Sequence, residues 1–247
     1  MYSSSLKLND EKSEFLCIGS VVHLSKVQIP SINIGNIAVA PSTTFRNLGV
    51  TFDSSMFMSA HISFVCKSVR YYLRNLGFIR KYLTRPATEK IVHAFISSRL
   101  DFGNAHFFQL PQSQLTRLQK LQNSAARIVT LTKYNDHISP VLHSLHWLPI
   151  EYRIIFKILL LVFHCVHGSA PEYNISLIKH YVPSRPLRSL DSCSLVVPKT
   201  RTNWGDRSFA HAGPFLWNQL PFHIRNSPTV DTFKDRLKYH LFQTAFK

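Results

Sequence analysis

The sequence predicts an α+β protein, mostly α: a small antiparallel N-terminal sheet, then a compact helical bundle, then a second helical region. Before residue 55 the chain consists of short apolar runs separated by Gly, Pro and Asn turn signals. From Phe57 onward the apolar spacing switches to three and four, the period of a helix with one buried face. A hydrophobic content of 45% over 247 residues supplies enough apolar surface to offset chain entropy, which argues against wholesale disorder.

Phe15 to Ile18 is the first apolar run, closed by Gly19-Ser20. Val27 to Ile29 and Ile32 to Val39 flank Pro30-Ser31, with a second turn signal at Gly35-Asn36, and Phe45 to Val50 follows as another strand. The first long helix carries Val65, Val69, Tyr72, Leu73, Leu76, Ile79 and Leu83 on one stripe and Lys67, Arg70, Arg74 and Lys81 on another face. Pro86 suits the start of a second helix, where a missing N–H costs nothing, and that helix runs through Ile91, Val92, Phe95 and Ile96 to Gly103. A third follows Pro111, with Leu115, Leu118, Leu121, Ala125 and Ile128 inward and Arg117, Lys120 and Arg127 on a second side. Polar residues Lys133 to Asp136 suggest a boundary near 130. Glu151 to His167 is apolar nearly all round, as a buried core helix is. Residues 182–188 read as irregular, Ser194 to Val197 as a strand, and Phe209 to Leu220 as a helix interrupted near Gly213-Pro214. The last helix, Thr229 to Phe246, turns Phe233, Leu237, Leu241 and Phe242 inward and Lys234, Arg236 and Lys238 outward.

Charge narrows the function. Twenty-nine Lys and Arg against 13 Asp and Glu give +16, a self-repelling balance that points to a polyanionic partner. The most apolar run, Ile154 to Val166, contains Lys157 and falls short of the ~20 residues a bilayer span needs, so no membrane partner is expected. No secretory signal is read at the N-terminus. Four widely spaced cysteines read as isolated thiols in a reducing compartment, nucleus or cytoplasm.

A two-metal polymerase or nuclease needs clustered carboxylates. Here Asp53, Glu89, Asp101 and Asp136 stand alone and read as caps or solvated charges, with Asp101 at a helix end and Asp231 in the first turn of the last helix. His143-x-x-His146 and His164-x-x-His167 approximate zinc spacing, but their apolar surroundings favour core packing. There is no Gly-rich phosphate loop and no serine elbow, so no catalytic residue, metal or cofactor is assigned. The row Lys67, Arg70, Arg74 and Lys81, near Tyr71 and Tyr82, suits successive phosphates. An amphipathic helix wearing cations outward would look similar; the lack of interleaved Glu favours binding.

Several motifs resemble the reverse transcriptases of LINE-type, non-long-terminal-repeat retrotransposons. Leu8-Asn9-Asp10-Glu11-Lys12-Ser13-Glu14-Phe15 resembles that family's fourth palm motif, usually Leu-Asn-x-x-Lys-Thr-Glu, with Ser13 in place of Thr. Phe45 to Asp53 is similar to its primer grip, Ala94 to Asn104 and Leu118 to Arg127 to successive thumb helices, and Leu145 to Ile154 and Phe209 to Leu220 to its C-terminal region. The resemblance covers essentially the whole chain, and the order and spacing of the motifs make it specific.

It implies a palm remnant over 1–55, a thumb-like helical bundle over 56–130 and a C-terminal helical domain over 131–247. It places Lys12 near the parent active site and Leu48-Gly49 at the primer's 3′ end. The family's catalytic aspartates lie upstream, in an Ala-Asp-Asp turn, and no Asp-Asp pair occurs in this sequence. The expectation is a nucleic-acid-binding fragment that takes RNA, DNA or a hybrid duplex through Lys12, Leu48, Gly49, Lys67, Arg70, Arg74, Lys81, Arg117, Lys120 and Arg127, without catalysis of its own. The alternatives are one part of an intact RNA-directed DNA polymerase whose palm lies upstream, or a non-functional relic whose exposed strand edges aggregate. The sequence sets no oligomeric state.

Overall fold

The computed structural model describes residues 9, 12–35, 37–182 and 193–247. It is an α+β protein, mostly α, in two compact units, Met1–Lys67 and Ser68–Lys247. Part of the first palm-like motif (Leu8, Asp10 and Glu11) and most of the stretch expected to be irregular (183–188) lie outside the described residues.

The N-terminal unit holds three two-stranded pairs rather than one sheet. Strand β1 (Phe15–Leu16) precedes a single helical turn, α1 (Val21–Leu24), begun by the Ser20 Oγ accepting from the His23 N–H. Strands β2 (Ile32–Ile34) and β3 (Ile37–Val39) pair antiparallel across the predicted Gly35-Asn36 turn. No strand forms at Val27 to Ile29, next to Pro30, which cannot donate to a ladder. Strand β4 (Pro41–Ser42) pairs with β1, and this pairing is parallel, against the antiparallel expectation. Phe45 to Val50 is not one strand but two, β5 (Thr44–Asn47) and β6 (Val50–Asp53), turned by Leu48 and Gly49 at φ of 46° and 87°. Two positive φ values in a two-residue loop match the twist of a tight hairpin. Phe45 and Phe52 stack across the ladder at 5.1 Å.

Asp53 then begins the long helix α2 (Ser59–Ile79). Its carboxylate accepts from the Phe57 N–H at 2.9 Å, the Ser59 N–H at 2.8 Å and the Ser55 hydroxyl at 2.8 Å. The residue read as a solitary charge is therefore a cap. Ile62, Val65, Cys66, Val69, Leu73 and Leu76 form the buried stripe of α2, which ends there: Ile79, expected inward, is exposed.

In the C-terminal unit a tight turn (Arg80–Tyr82) leads to α3 (Arg85–Val92), where Thr84 caps by accepting from the Ala87 N–H and Pro86 sits in the first turn. A wide π-helical turn over His93–Ser97, in which the Ser98 N–H reaches back to the His93 carbonyl, joins α3 to α4 (Ser98–Asp101). A short tight helix (Asn104–Phe107) follows the turn at Gly103. Helix α5 (Gln112–Thr130) buries Leu115, Leu118, Leu121 and Ala125 as predicted, but Ala126 and Val129 take the inward places beyond them and leave Ile128 half-buried.

Helix α6 (Ile138–Ser144) and the core helix α7 (Ile150–Val166) both pack on α5, so helices before and after residue 130 share one unit. The short helices α8 (Glu172–Ile175) and α9 (Asn203–Asp206) precede α10 (Phe209–Gln219). Helix α10 is continuous: Pro214 lies inside it, against the predicted break. Burial of Ala212, Leu216 and Trp217 outweighs the proline cost, about 3 kcal/mol in a free helix. Gly213 permits a close crossing, since a Cβ there would stand 2.8 Å from the Val162 Cγ2 on α7.

After α11 (Phe222–Arg225), α12 (Val230–Ala245) starts at its Thr229 cap with Asp231 in the first turn, as predicted. Phe233 of α12 stacks on Phe163 of α7 at 4.4 Å and meets Trp217 at 5.7 Å, forming an aromatic centre. Phe242 is only half-buried, against His143 and Phe246. The strand expected at Ser194 to Val197 shrinks to one bridge, His180 to Leu195. The Asn218 side chain does the work of a partner strand there, accepting from the Leu195 N–H at 2.9 Å and donating to its carbonyl at 2.8 Å.

Candidate nucleic-acid interface

Buried Val69, Leu73 and Leu76 turn the other side of α2 outward. In the C-terminal unit that outward side carries Arg70, Tyr71, Arg74 and Phe78, followed by Lys81 and Tyr82, all exposed. Tyr71 and Phe78 are seven residues apart, two helical turns, so they share one side with Arg74 between them. Their exposure is 63% and 66%, and that of Tyr82 is 78%, far more than the core aromatics show. The Arg74 guanidinium lies 5.8 Å over the Phe78 ring and the Lys81 ammonium 4.9 Å over that of Tyr82. These contacts hold cations beside rings without neutralising them. Among the described residues, none of Lys67, Arg70, Arg74, Lys81 and Lys120 takes part in an ion pair.

Arg80 fixes the end of this surface. Its Nε donates to the Ile128 carbonyl at 2.8 Å, its Nη2 to that of Val129 at 2.9 Å and its Nη1 to that of Leu83 at 2.7 Å. Carbonyls in the last turn of a helix lack intrahelical donors, so a guanidinium there supplies both hydrogen bonds and favourable charge. The result brings Lys81 and Arg127 together on the wall of one cavity of about 550 Å³. Arg127 donates to the carbonyls of Lys133 at 3.3 Å and Asp136 at 3.0 Å and lies 5.7 Å from the ring centre of Tyr134, which is 87% exposed. Lys120 is exposed two turns nearer the start of α5, and Arg117, nearer still, is half-buried and bonded to Gln114 at 2.8 Å.

Four expected site residues belong to the N-terminal unit. Lys67 is exposed on α2, and Lys12 is exposed beside Asn9, whose side-chain oxygen accepts from the Lys12 N–H at 3.2 Å. Leu48 is 89% exposed at the β5–β6 turn, with Gly49 beside it. A large apolar side chain held in water by a left-handed backbone is unusual for a residue with only a structural task.

Asp101, read as a helix-end charge, instead forms a two-point ion pair with Arg153 on α7, one arm (Nε to Oδ1) at 2.8 Å and the other through Nη2 and Oδ2. The histidine pairs are engaged in packing: His143 meets Phe242 at 4.9 Å, and His167 stacks on Phe163 at 3.8 Å. Among the described residues no group of three or more His, Cys, Asp or Glu is placed to hold a metal ion. Burial pushes the Cys165 thiol above its ordinary pKa, which disfavours the reactive thiolate. No described helix is long and apolar enough to cross a membrane.

Sequence reasoning misses Arg80, Phe78 and Tyr134. The seven-residue spacing of Tyr71 and Phe78 was available as a signal; Arg80 looks like any other surface arginine until α5 is folded against it. Compared with protein families, with curated proteins and with solved structures, the chain matches none.

Proposed function

We propose that the chain binds RNA, DNA or an RNA–DNA hybrid, as the palm end, thumb and C-terminal region of a LINE-type reverse transcriptase, with no catalytic carboxylates of its own. The observation that carries the binding reading is the alternation of exposed rings and cations without acidic partners along the end of α2, with Arg127 of α5 beside them. Lys and Arg displace counterions from phosphates, and exposed rings stack on unpaired bases. The family reading rests on the motif order over the chain and on the hairpin that presents Leu48 and Gly49.

The test is anisotropy of a labelled hybrid duplex titrated with the full chain from 50 to 200 mM salt. Arg70, Arg74, Lys81 and Arg127 contacting four phosphates give a log–log slope of roughly −3 to −4. Absent binding, or binding indifferent to salt, rejects the proposal.

A further inference from the structure

A second cavity, of about 440 Å³, lies between α4, α7 and α12 of the C-terminal unit. Its size falls within the range of small-molecule sites, about 300–1,000 Å³. Trp147, Phe156 and Leu160 give it flat, apolar walls, and His93 meets the Trp147 ring edge to face at 5.5 Å. Asn104 also lines it and is only 3% exposed. The Asn104 Oδ1 is buried without a hydrogen-bond partner, while its Nδ2 reaches Asp101 at 3.5 Å. A buried acceptor left unpaired costs about 1–3 kcal/mol, so a ligand N–H that reaches it gains more than it would in water. Asp101 and Arg153 cancel one another in the same wall. Lys157 and Lys238 also line the cavity, both exposed and both without an ion-pair partner among the described residues, so the net charge of the lining is positive.

A flat apolar slot, a buried acceptor waiting for an N–H and two free ammonium groups define one kind of ligand. We infer that this cavity binds a nucleobase carrying a phosphate: the base lies against Trp147 and Phe156, its ring or amino N–H donates to the Asn104 Oδ1, and the phosphate is held by Lys157 and Lys238. The ligand is either a free mononucleotide or an unpaired base of a bound strand. The inference stands on the cavity alone and does not require the α2 surface to bind nucleic acid.

The test is calorimetry of the full chain with adenosine 5′-monophosphate, adenosine, ribose 5-phosphate and a short single-stranded oligoadenylate. The Asn104 side-chain amide signal in a nitrogen–proton spectrum reports where each one sits. The mononucleotide is expected to shift that signal, and adenosine and ribose phosphate, each lacking one of the two handles, to bind at least about tenfold more weakly. Lys157→Ala with Lys238→Ala, both surface changes, is expected to reduce mononucleotide affinity about tenfold. Asn104→Leu removes the unpaired acceptor and is expected to weaken binding several-fold while the protein stays folded. Tighter binding of the oligoadenylate than of the mononucleotide marks a strand base as the source; the reverse marks a free nucleotide. An unmoved Asn104 signal, or affinity unchanged by the double lysine variant, overturns the inference. Hybrid-duplex binding measured on that variant separates the two proposals, because neither lysine lies on α2 or α5.

Discussion

Gly213→Ala is the sharpest probe of how the helical core is assembled. The added methyl would stand 2.8 Å from the Val162 Cγ2, closer than side chains approach, while Phe209 and Ile178 lie at ordinary contact distances of 3.5 and 3.7 Å. Overpacking of this kind costs about 1–3 kcal/mol. Two further effects accompany it: alanine gains about 1 kcal/mol over glycine in helix propensity, and a Cβ before Pro214 crowds the proline ring. Both are properties of α10 itself. Val162→Ala alone removes two methyls from a fully buried residue and costs about 2 kcal/mol in lost burial and cavity. In the double variant the clashing atom is gone and the new methyl fills part of the void, while the propensity and proline effects are unchanged. The cycle therefore isolates a favourable coupling of about 1–3 kcal/mol. Urea denaturation of the four proteins, followed by Trp217 in the near-ultraviolet, measures it. Coupling below about 0.5 kcal/mol would show that the α7–α10 crossing is not set by the missing side chain.

Arg74→Ala with Lys81→Ala should flatten the salt slope of hybrid binding by about 2, whereas Tyr71→Ala or Phe78→Ala should weaken single strands by about 1–3 kcal/mol at an unchanged slope; salt titrations of each variant distinguish the two. Asp53→Ala removes an acceptor for three donors at the start of α2 and should cost about 1–2 kcal/mol, read as faster amide exchange in the first turn of that helix. Burial, then the nearby His223 and Lys247, lowers the pKa of His240 below its ordinary value. The unfolded chain then takes up the proton first, so the contribution of His240 is intact above about pH 6.5 and declines as pH falls through that value toward the folded pKa. His240→Gln should remove that decline from the pH profile of the denaturation midpoint.

What the sequence reveals and what it hides divide along physical lines. Helices α2, α5, α7 and α12 are legible because their apolar periodicity is local and each buries one stripe or, for α7, nearly its whole surface. The N-terminal strands are less so. The hairpin at Leu48-Gly49 depends on a leucine adopting a conformation it normally avoids, which no propensity foretells. Leu195 reads as strand because its neighbours are apolar, yet its backbone partner is an asparagine side chain 23 residues away. Pro214 reads as a break because proline is costly in a free helix, and only the packing of α10 on α7 offsets that cost. At the candidate interface the cations of α2 are evident from spacing alone. The convergence of Lys81 and Arg127 is not, since it follows from Arg80 reaching carbonyls 48 and 49 residues away.

The wide turn at His93–Ser97 also gives the chain an unusual sensitivity to length. Past it, Arg99 donates to the Tyr72 hydroxyl at 2.9 Å and Asp101 reaches Arg153. Loss of any one residue from this segment would let the helix close into regular α geometry at no local penalty and would rotate everything downstream by about 100°. Both partners would then point elsewhere, though every side chain involved would still be present. A lineage can therefore lose this arrangement through one in-frame codon deletion that propensity alone would judge harmless, and comparison of related chains should track the length of this stretch before the identity of its residues.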